Sequence, residues 1–179
     1  MRILLVVPWK ADEGLLSYER MFVPDDVDVV GLEEGVLAEC QSDLGRNLPA
    51  LLDRIQEAER EGYDAVVVAC FGDSGVEVAR ELVSIPVLGP LNVALHISQI
   101  IGHKTLHLVP EYARGRYYSM ANLAIYGLQD RVVTRGIPAG VADAFKAFEE
   151  YKATGKPGTF INDMMNVCIK AMEEDDVDV

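Results

Sequence analysis

The sequence predicts an α/β fold built on parallel β-sheets. Short β-branched runs alternate along the chain with longer stretches of helical periodicity, which is typical of βαβ units. One run, Asp64 to Cys70, reads DAVVVAC without polar alternation, as expected for a strand buried on both faces of a parallel sheet. The chain has 179 residues, 50% of them apolar, so it is long enough for one or two small domains with a genuine core.

The first half contains four predicted strands and two predicted helices. The first strand should end at Pro8, because a loop reading PWKADEG follows it. The first helix has apolar residues at three- and four-residue spacing, and Gly62 supplies a left-handed cap at its end. In chain order the elements are strand Arg2 to Val7, strand Val27 to Leu32, helix Leu44 to Glu61, strand Asp64 to Cys70, helix Ser74 to Val83 and strand Pro86 to Gly89.

The second half continues the alternation, with Gly102 and Gly127 as predicted helix caps. Its elements are helix Leu91 to Ile101, strand Lys104 to Val109, a helix from about Tyr112 to Tyr126, strand Arg131 to Ile137, and helices Val141 to Ala153 and Thr159 to Asp175. The last residues, Glu173 to Val179, resemble the helix-to-strand stretch Glu59 to Val66 and predict the start of another strand. Residues 1–90 and 91–179 are each predicted to form one α/β domain.

Composition and charge exclude several classes of function. With 16 basic and 29 acidic residues the net charge is −13, and no Lys/Arg cluster is present, so nucleic acid is not an expected partner. The apolar runs are far shorter than the ~20 residues of a membrane span, and no secretory leader is recognisable. We therefore expect no membrane contact and a cytoplasmic location. Three cysteines without CxxC spacing argue against a disulfide framework and a metal site.

The segment Cys70 to Gly75, Cys-Phe-Gly-Asp-Ser-Gly, lies where the buried strand gives way to a helix. Ligands of open α/β sheets bind beyond the carboxyl ends of the strands. Ser74 followed by Glu77 fits a capping box, which predicts a helix start with N–H groups close to Cys70 and a lowered pKa of its thiol. Cys70 is therefore the candidate nucleophile or base. The glycines of this segment let the backbone approach a ligand, and N–H groups from Gly72 to Gly75 can stabilise an oxyanion. The candidate substrate-binding residues behind Cys70 are Phe71, Gly72, Asp73 and Ser74.

These candidate residues also have structural interpretations. Cys70 can be a small apolar residue that completes a core strand. Pro8 and Trp9 are the other candidate substrate-binding residues. They lie at the end of the first strand, where the indole ring of Trp9 either stacks on a planar substrate or shields the end of the sheet. The string Gly72 to Gly75 also occurs in trypsin-like proteases, but the βαβ rhythm contradicts their all-β barrels.

The remaining cysteines and the histidines are predicted to be structural. Cys168 shares an apolar helix face with Met165 and Met172, so we expect it in the core. Cys40 has no basic neighbour to activate it and is taken as incidental. No carboxylate lies at triad or metal-site spacing from the histidines, which are His96, His103 and His107.

The stretch YDAVVVACFGDSGVEVARELVSIPVLG, followed by NVALHISQIIGHK, resembles the Asp/Glu/hydantoin racemase superfamily, and most closely its hydantoin racemase branch. The likeness extends through Tyr126 to Arg131 into the final helix. It implies two pseudo-symmetric parallel-sheet α/β domains with an active-site cleft between them. It also implies an isomerase, a racemase or epimerase that needs no cofactor: one cysteine thiolate removes the proton from a carbon next to a carbonyl, and a second cysteine, as a thiol, returns one on the opposite face.

Residue by residue, Cys70 matches the first cysteine of the family, and Phe71 to Ser74 match the loop behind it, with Ser74 in place of the usual proline. The second cysteine normally follows a strand that continues a helix ending such as Glu173 to Val179. The resemblance therefore leads us to expect a chain truncated at its C-terminal side. Neither Cys40 nor Cys168 matches the place of that second cysteine.

Two departures from the family leave the substrate open. Val7 to Lys10 replaces an Asn-Pro-Asn-Thr motif, and Val109 to Tyr112 replaces a threonine-rich turn. The expected substrate is a small molecule, a hydantoin, amino acid or related carbonyl compound, and a homo-oligomer is expected. Two alternatives are a non-catalytic small-molecule binding protein on the same fold and a relative that uses one cysteine as a decarboxylase or cis-trans isomerase.

Overall fold

The computed structural model describes residues 1–38, 41–111, 115–137 and 141–179. The chain forms two compact units, Met1–Ala94 and Leu95–Val179. The predictions for Cys40 and for a helix start at Tyr112 fall outside the described residues. In order, the elements are β1 (Ile3–Lys10), α1 (Glu13–Arg20), β2 (Val27–Leu32), α2 (Gln41–Arg60), β3 (Ala65–Val68), α3 (Val76–Arg80), β4 (Val87–Leu88), α4 (Pro90–Ile101), β5 (Thr105–Pro110), α5 (Gly115–Ile125), β6 (Val132–Ile137), α6 (Val141–Thr154) and α7 (Thr159–Asp175).

The first unit is built on a four-stranded parallel sheet with the order β2-β1-β3-β4. Ile3 of β1 pairs with both Val27 of β2 and Ala65 of β3, so the carboxyl ends of these strands meet at one edge. The sheet has one apolar cluster that includes β3 and α2 and a second that includes β1, β2 and α1. Val66 and Val68 on one face of β3 are buried, whereas Ala65 and Val67 on the other face are half-buried, so the predicted burial of both faces is complete for one face only.

The segment after Pro8 differs from the prediction of a loop. β1 continues to Lys10 with a register shift between Val7 and Lys10, an irregularity that accommodates a proline without an N–H group. Helix α1 follows, with Asp12 as its N-cap: the Oδ1 atom of Asp12 accepts a hydrogen bond from the N–H of Leu15 at 2.9 Å. The polar residues that suggested a loop are thus the cap and the exposed face of a short helix.

The second unit contains the two-stranded parallel sheet β5-β6. After α7 the chain runs beside the other edge of β5: the N–H of Asp178 donates to the carbonyl of Lys104 at 3.0 Å, and the N–H of Leu106 donates to the carbonyl of Val179 at 2.7 Å. These are the hydrogen bonds of a parallel neighbour, as the sequence of the last residues predicts.

Both units use an aspartate to align the start of two neighbouring strands. In the first unit the N–H of Asp64 donates to the carbonyl of Arg2 at 2.8 Å, and the Asp64 carboxylate accepts from the N–H of Arg2 at 2.6 Å. In the second unit Asp178 makes the same pair of contacts with Lys104, whose N–H lies 2.8 Å from the Asp178 carboxylate. The two units thus share a device that fixes strand register.

Two predictions about the second unit need correction. Gly102 follows α4 without the left-handed backbone that Gly62 and Gly127 adopt; a Cβ there would collide with the side chain of Val179, so the glycine makes room for the last residues. Cys168 is half-buried rather than in a core, because the helix face it shares is open, with Met165 and Met172 55% and 61% exposed.

No helix among residues 1–38, 41–111, 115–137 and 141–179 is long and apolar enough to cross a membrane.

Replacing Ile55 by alanine should destabilise the first unit. Ile55 is 0% exposed in the cluster between α2 and the sheet. Removing a buried isoleucine side chain leaves a cavity and costs about 2–5 kcal/mol of unfolding free energy, measurable by urea titration. The matched control is Ile100→Ala, since Ile100 is 82% exposed. Equal losses in the two variants would contradict the described core.

His107 should make the second unit sensitive to acid. Burial lowers the pKa of His107 to about 4, whereas the unfolded chain has the ordinary value of about 6.5. Between these values the unfolded state binds the proton more readily, so stability falls as pH drops from about 6.5 towards 4. We expect a loss of about 2–3 kcal/mol between pH 7 and 4.5 by urea titration. His107→Gln should remove this loss, while exposed His96→Gln should retain it; equal pH slopes for both variants would contradict the assignment.

Candidate active site

Cys70 lies at the carboxyl edge of the first unit's sheet. β3 ends at Val68, and the N–H of Ala69 still donates to the carbonyl of Val6 on β1 at 2.8 Å. The register pairs Val6 with Val68, and Cys70 follows two residues later, where its N–H turns back to donate to the carbonyl of Val68 at 2.8 Å. This is the edge at which open parallel sheets bind their ligands.

Three donors converge on the sulfur of Cys70. The Ser74 hydroxyl donates to Sγ at 3.2 Å, and the backbone N–H groups of Gly72 and Ser74 also hydrogen-bond to it. The turn is closed by the N–H of Asp73, which donates to the carbonyl of Cys70 at 2.9 Å. The chain therefore wraps around the sulfur and offers it a set of donors suited to a thiolate.

Burial nevertheless raises the pKa of the Cys70 thiol above its ordinary value, and the negative charge of Asp73 adds to this effect. The hydrogen bonds from Ser74 and from the N–H of Gly72 act in the opposite direction. The predicted lowering of the pKa was therefore wrong. Desolvation of the thiolate outweighs its hydrogen bonds, and the thiol is the resting form at neutral pH.

The predicted capping box at Ser74 and Glu77 was also wrong. Helix α3 begins at Val76, and its N-cap is Gly75, which makes no side-chain hydrogen bond to the helix. Gly75 has a φ of +71°, and a Cβ there would lie 2.6 Å from Leu48 Cδ1, so both the backbone conformation and the packing favour glycine. The Ser74 hydroxyl consequently faces Cys70 instead of the helix. With only five residues, α3 also has a weak N-terminal dipole.

Asp73 is buried in a left-handed conformation with a φ of +51°. Its Oδ1 atom accepts a hydrogen bond from the N–H of Leu91 at 2.9 Å, and its Oδ2 atom accepts from the N–H of Asn92 at 2.6 Å. Both N–H groups belong to the first turn of α4. The carboxylate that was predicted to bind substrate is thus hydrogen-bonded to the first turn of α4.

The other predicted binding residues divide into exposed and buried ones. Phe71 is 57% exposed beside Cys70, and Gly72 is half-buried. Pro8 is buried, and Trp9 is 7% exposed in the cluster that contains Val7 and Val29. The indole N–H of Trp9 is buried and has no hydrogen-bond partner among the described residues. This position favours the interpretation of Trp9 as a shield for the sheet end over stacking on a substrate.

Asn47 is a residue of this edge that the sequence analysis missed. Its side-chain amide donates to the carbonyl of Pro8 at 3.0 Å and to that of Val36 at 2.7 Å, and its Oδ1 atom accepts from the N–H of Val36 at 3.0 Å. It therefore connects the end of β1 with the segment after β2. The signal in the sequence is an asparagine one turn before Leu51, on the apolar face of α2.

In the described part of the chain, His96 and His107 have structural surroundings. His107 is buried in β5, and the His96 ring lies 6.2 Å from that of Tyr126 in an edge-on contact. Across the described ranges, no group of three or more His, Cys, Asp or Glu residues has the arrangement of a metal site.

Replacing Ser74 by alanine should raise the pKa of Cys70 further. The variant loses the hydroxyl that donates to Sγ, so the thiolate loses a hydrogen bond. We expect the rate of alkylation by iodoacetamide at pH 8, followed at Cys70 by peptide mass spectrometry, to fall about tenfold. Ser17→Ala, on the exposed side of α1, is the control. An unchanged or lowered Cys70 pKa in Ser74→Ala would contradict the assignment.

Comparison with known proteins supports the resemblance seen in the sequence. The chain is 32% identical over 98 residues to hydantoin racemase from Pseudomonas sp. (strain NS671), covering 54% of this chain and 39% of that protein. It is 31% identical over 112 residues to hydantoin racemase from Paenarthrobacter aurescens, covering 59% and 47%. The matches thus span less than half of these two relatives.

The fold matches that of solved racemases. Allantoin racemase from Klebsiella pneumoniae superposes with a TM-score of 0.78 at 22% identity, over 98% of this chain and 70% of that one. Allantoin racemase from Pseudomonas fluorescens gives 0.77 at 23% identity, over 99% and 74%. The sequence profile of the family described as Asp/Glu/hydantoin racemase matches residues 33–178. This chain therefore belongs to the Asp/Glu/hydantoin racemase family.

Proposed function

We propose that the protein is a cofactor-independent racemase or epimerase in which Cys70 exchanges a proton with a carbon next to a carbonyl. The observation that carries the proposal is the convergence of three donors on a cysteine sulfur at the ligand-binding edge of a parallel sheet. Family membership supports it. The names of the relatives suggest a small cyclic substrate of the hydantoin or allantoin type.

Inversion of a carbon centre needs an acid and a base on opposite faces, since one base that returns its own proton restores the starting configuration. Cys70 is one of these two groups in our proposal. The second is a cysteine in the mechanism that the resemblance implies, and neither Cys40 nor Cys168 matches its place. A carbonyl beside the reacting carbon delocalises the negative charge, so the proton transfers can proceed between thiols and carbon.

The raised pKa of Cys70 suits it to act as the proton donor in this reaction. At neutral pH it rests as a thiol, which is the form that returns a proton to carbon. After that transfer the sulfur carries the negative charge, which the Ser74 hydroxyl and the N–H groups of Gly72 and Ser74 stabilise. The same donors lower the cost of using Cys70 as the base for the opposite isomer. Phe71, exposed next to the thiol, offers an apolar contact for the substrate.

A binding protein without turnover is the second candidate. The observation in its favour is the raised pKa of Cys70, because a thiol that is mostly protonated is a weak base. A cyclic ureide would then raise the melting temperature of the protein without losing its α-proton to solvent. The same incubation can also include an arylmalonate, whose decarboxylation would point to the one-cysteine alternative.

Replacing Cys70 by alanine should abolish proton exchange. A 5-substituted hydantoin incubated with the protein in deuterated water should lose its α-proton signal in the NMR spectrum faster than in buffer alone. Because acid–base groups contribute factors on the order of 10²–10⁴, the variant should approach the buffer rate. Cys168→Ala is the matched control, since Cys168 is the other free cysteine of the described residues.

Three outcomes decide between the candidates. Exchange that is lost in Cys70→Ala and kept in Cys168→Ala supports the racemase. Exchange that survives Cys70→Ala overturns the role of Cys70. Stabilisation by the hydantoin without exchange in the unmodified protein favours the binding protein.

A further inference from the structure

Asp73 is the residue through which the loop around the Cys70 sulfur is attached to the rest of the first unit. It lies between the two backbone donors, Gly72 and Ser74, and its own N–H closes the turn by donating to the carbonyl of Cys70. Its carboxylate points away from this turn and accepts from two N–H groups of α4. One residue therefore joins the sulfur-binding turn to a helix that is 18 positions further along the chain.

The contact between the Asp73 carboxylate and α4 is a buried, fully hydrogen-bonded one rather than an exposed ion pair. Asp73 is 4% exposed, and each carboxylate oxygen has its own backbone donor, at 2.9 and 2.6 Å. The first-turn N–H groups of a helix have no partner within the helix, so a carboxylate satisfies them and gains from the helix dipole. Gly89, just before α4, makes the contact possible: a Cβ at this position would collide with the Asp73 carboxylate.

We propose that Asp73 is a positioning residue, which by its two hydrogen bonds to α4 holds Gly72 and Ser74 in place as donors to the Cys70 sulfur. The inference deepens the proposed function, because the donors it positions are those of the proposed acid–base group. It replaces the sequence-based prediction that Asp73 binds substrate. The geometry supports the replacement, since both carboxylate oxygens already have partners on α4.

Positioning and charge predict opposite effects of removing the carboxylate. The negative charge of Asp73 disfavours a thiolate on Cys70, so loss of the charge alone would make the thiol ionise more easily. Loss of the two hydrogen bonds moves Gly72 and Ser74 away from the sulfur, and a sulfur that stays buried without these donors is harder to ionise. The sign of the change in thiol reactivity therefore distinguishes the two roles.

The test measures alkylation of Cys70 by iodoacetamide between pH 6 and 10, followed at that residue by peptide mass spectrometry. Asp73→Ala should slow the reaction at pH 8 about tenfold and move the pH profile upward. Asp73→Asn keeps the shape and one acceptor oxygen, so it should react at an intermediate rate. Gly89→Ala should reproduce the slow reaction, since its added Cβ displaces the carboxylate without changing residue 73.

Asp12→Ala is the matched control, because the Asp12 carboxylate also accepts a first-turn N–H of a helix but lies on α1. It should lower the melting temperature and leave the Cys70 profile unchanged. A native circular dichroism spectrum with alkylation of Asp73→Ala as fast as or faster than that of the unmodified protein would overturn the proposal. If Asp73→Ala does not fold, the alkylation rates of Asp73→Asn and Gly89→Ala are compared with that of the unmodified protein by the same criterion.

The proposed function is tested separately on the same variants. If the unmodified protein exchanges the α-proton of a hydantoin, Asp73→Ala should lower kcat about tenfold, with KM changed less than about twofold, and Asp73→Asn should partly restore kcat. If the unmodified protein shows no exchange, the racemase proposal fails while the alkylation result still decides the role of Asp73.

Discussion

The parallel pairing of β1 with β3 is the constraint that brings Cys70 to the carboxyl edge of the sheet, since β3 ends at Val68 beside Val6 of β1. Because Val6 pairs with Val68, β3 ends beside the middle of β1, which continues to Lys10, and Cys70 leaves the sheet two residues after that pair. Asn47 then holds the carbonyl of Pro8 from α2. The sulfur thus lies at a rigid edge, and the short turn that follows can wrap its donors around it.

At this edge two physical effects oppose each other on one atom. Burial disfavours the charged sulfur, whereas three hydrogen bonds favour it, each of a kind that contributes about 1.5–3 kcal/mol when one partner is charged. Desolvation prevails, so the thiol remains protonated at rest.

The sequence predicted the sheet better than it predicted the site. The bounds of β2 and α7 are those read from the pattern, because β-branched runs and long helical periods are strong local signals. Helix α1 was missed because it has only eight residues, half of them polar or charged, and none is buried. The position of Cys70 followed from its strand, but the direction of its pKa did not. Burial of the sulfur and the contact between Asp73 and Leu91 depend on residues far apart in the chain, which no local pattern contains.

Asp64 lies at the opposite end of β3 from the sulfur, six residues before Cys70, and its bonds to the backbone of Arg2 have a consequence there. Side chains of a strand alternate between the two faces of a sheet, so a slip of one residue against β1 would send the cysteine side chain to the other side. A short strand of four apolar residues contains little to prevent such a slip, since valine follows valine. The hydrogen bonds of Asp64 with Arg2 therefore fix the register at the first residues of β3, and this register determines on which face of the sheet the chain leaves the strand six residues later.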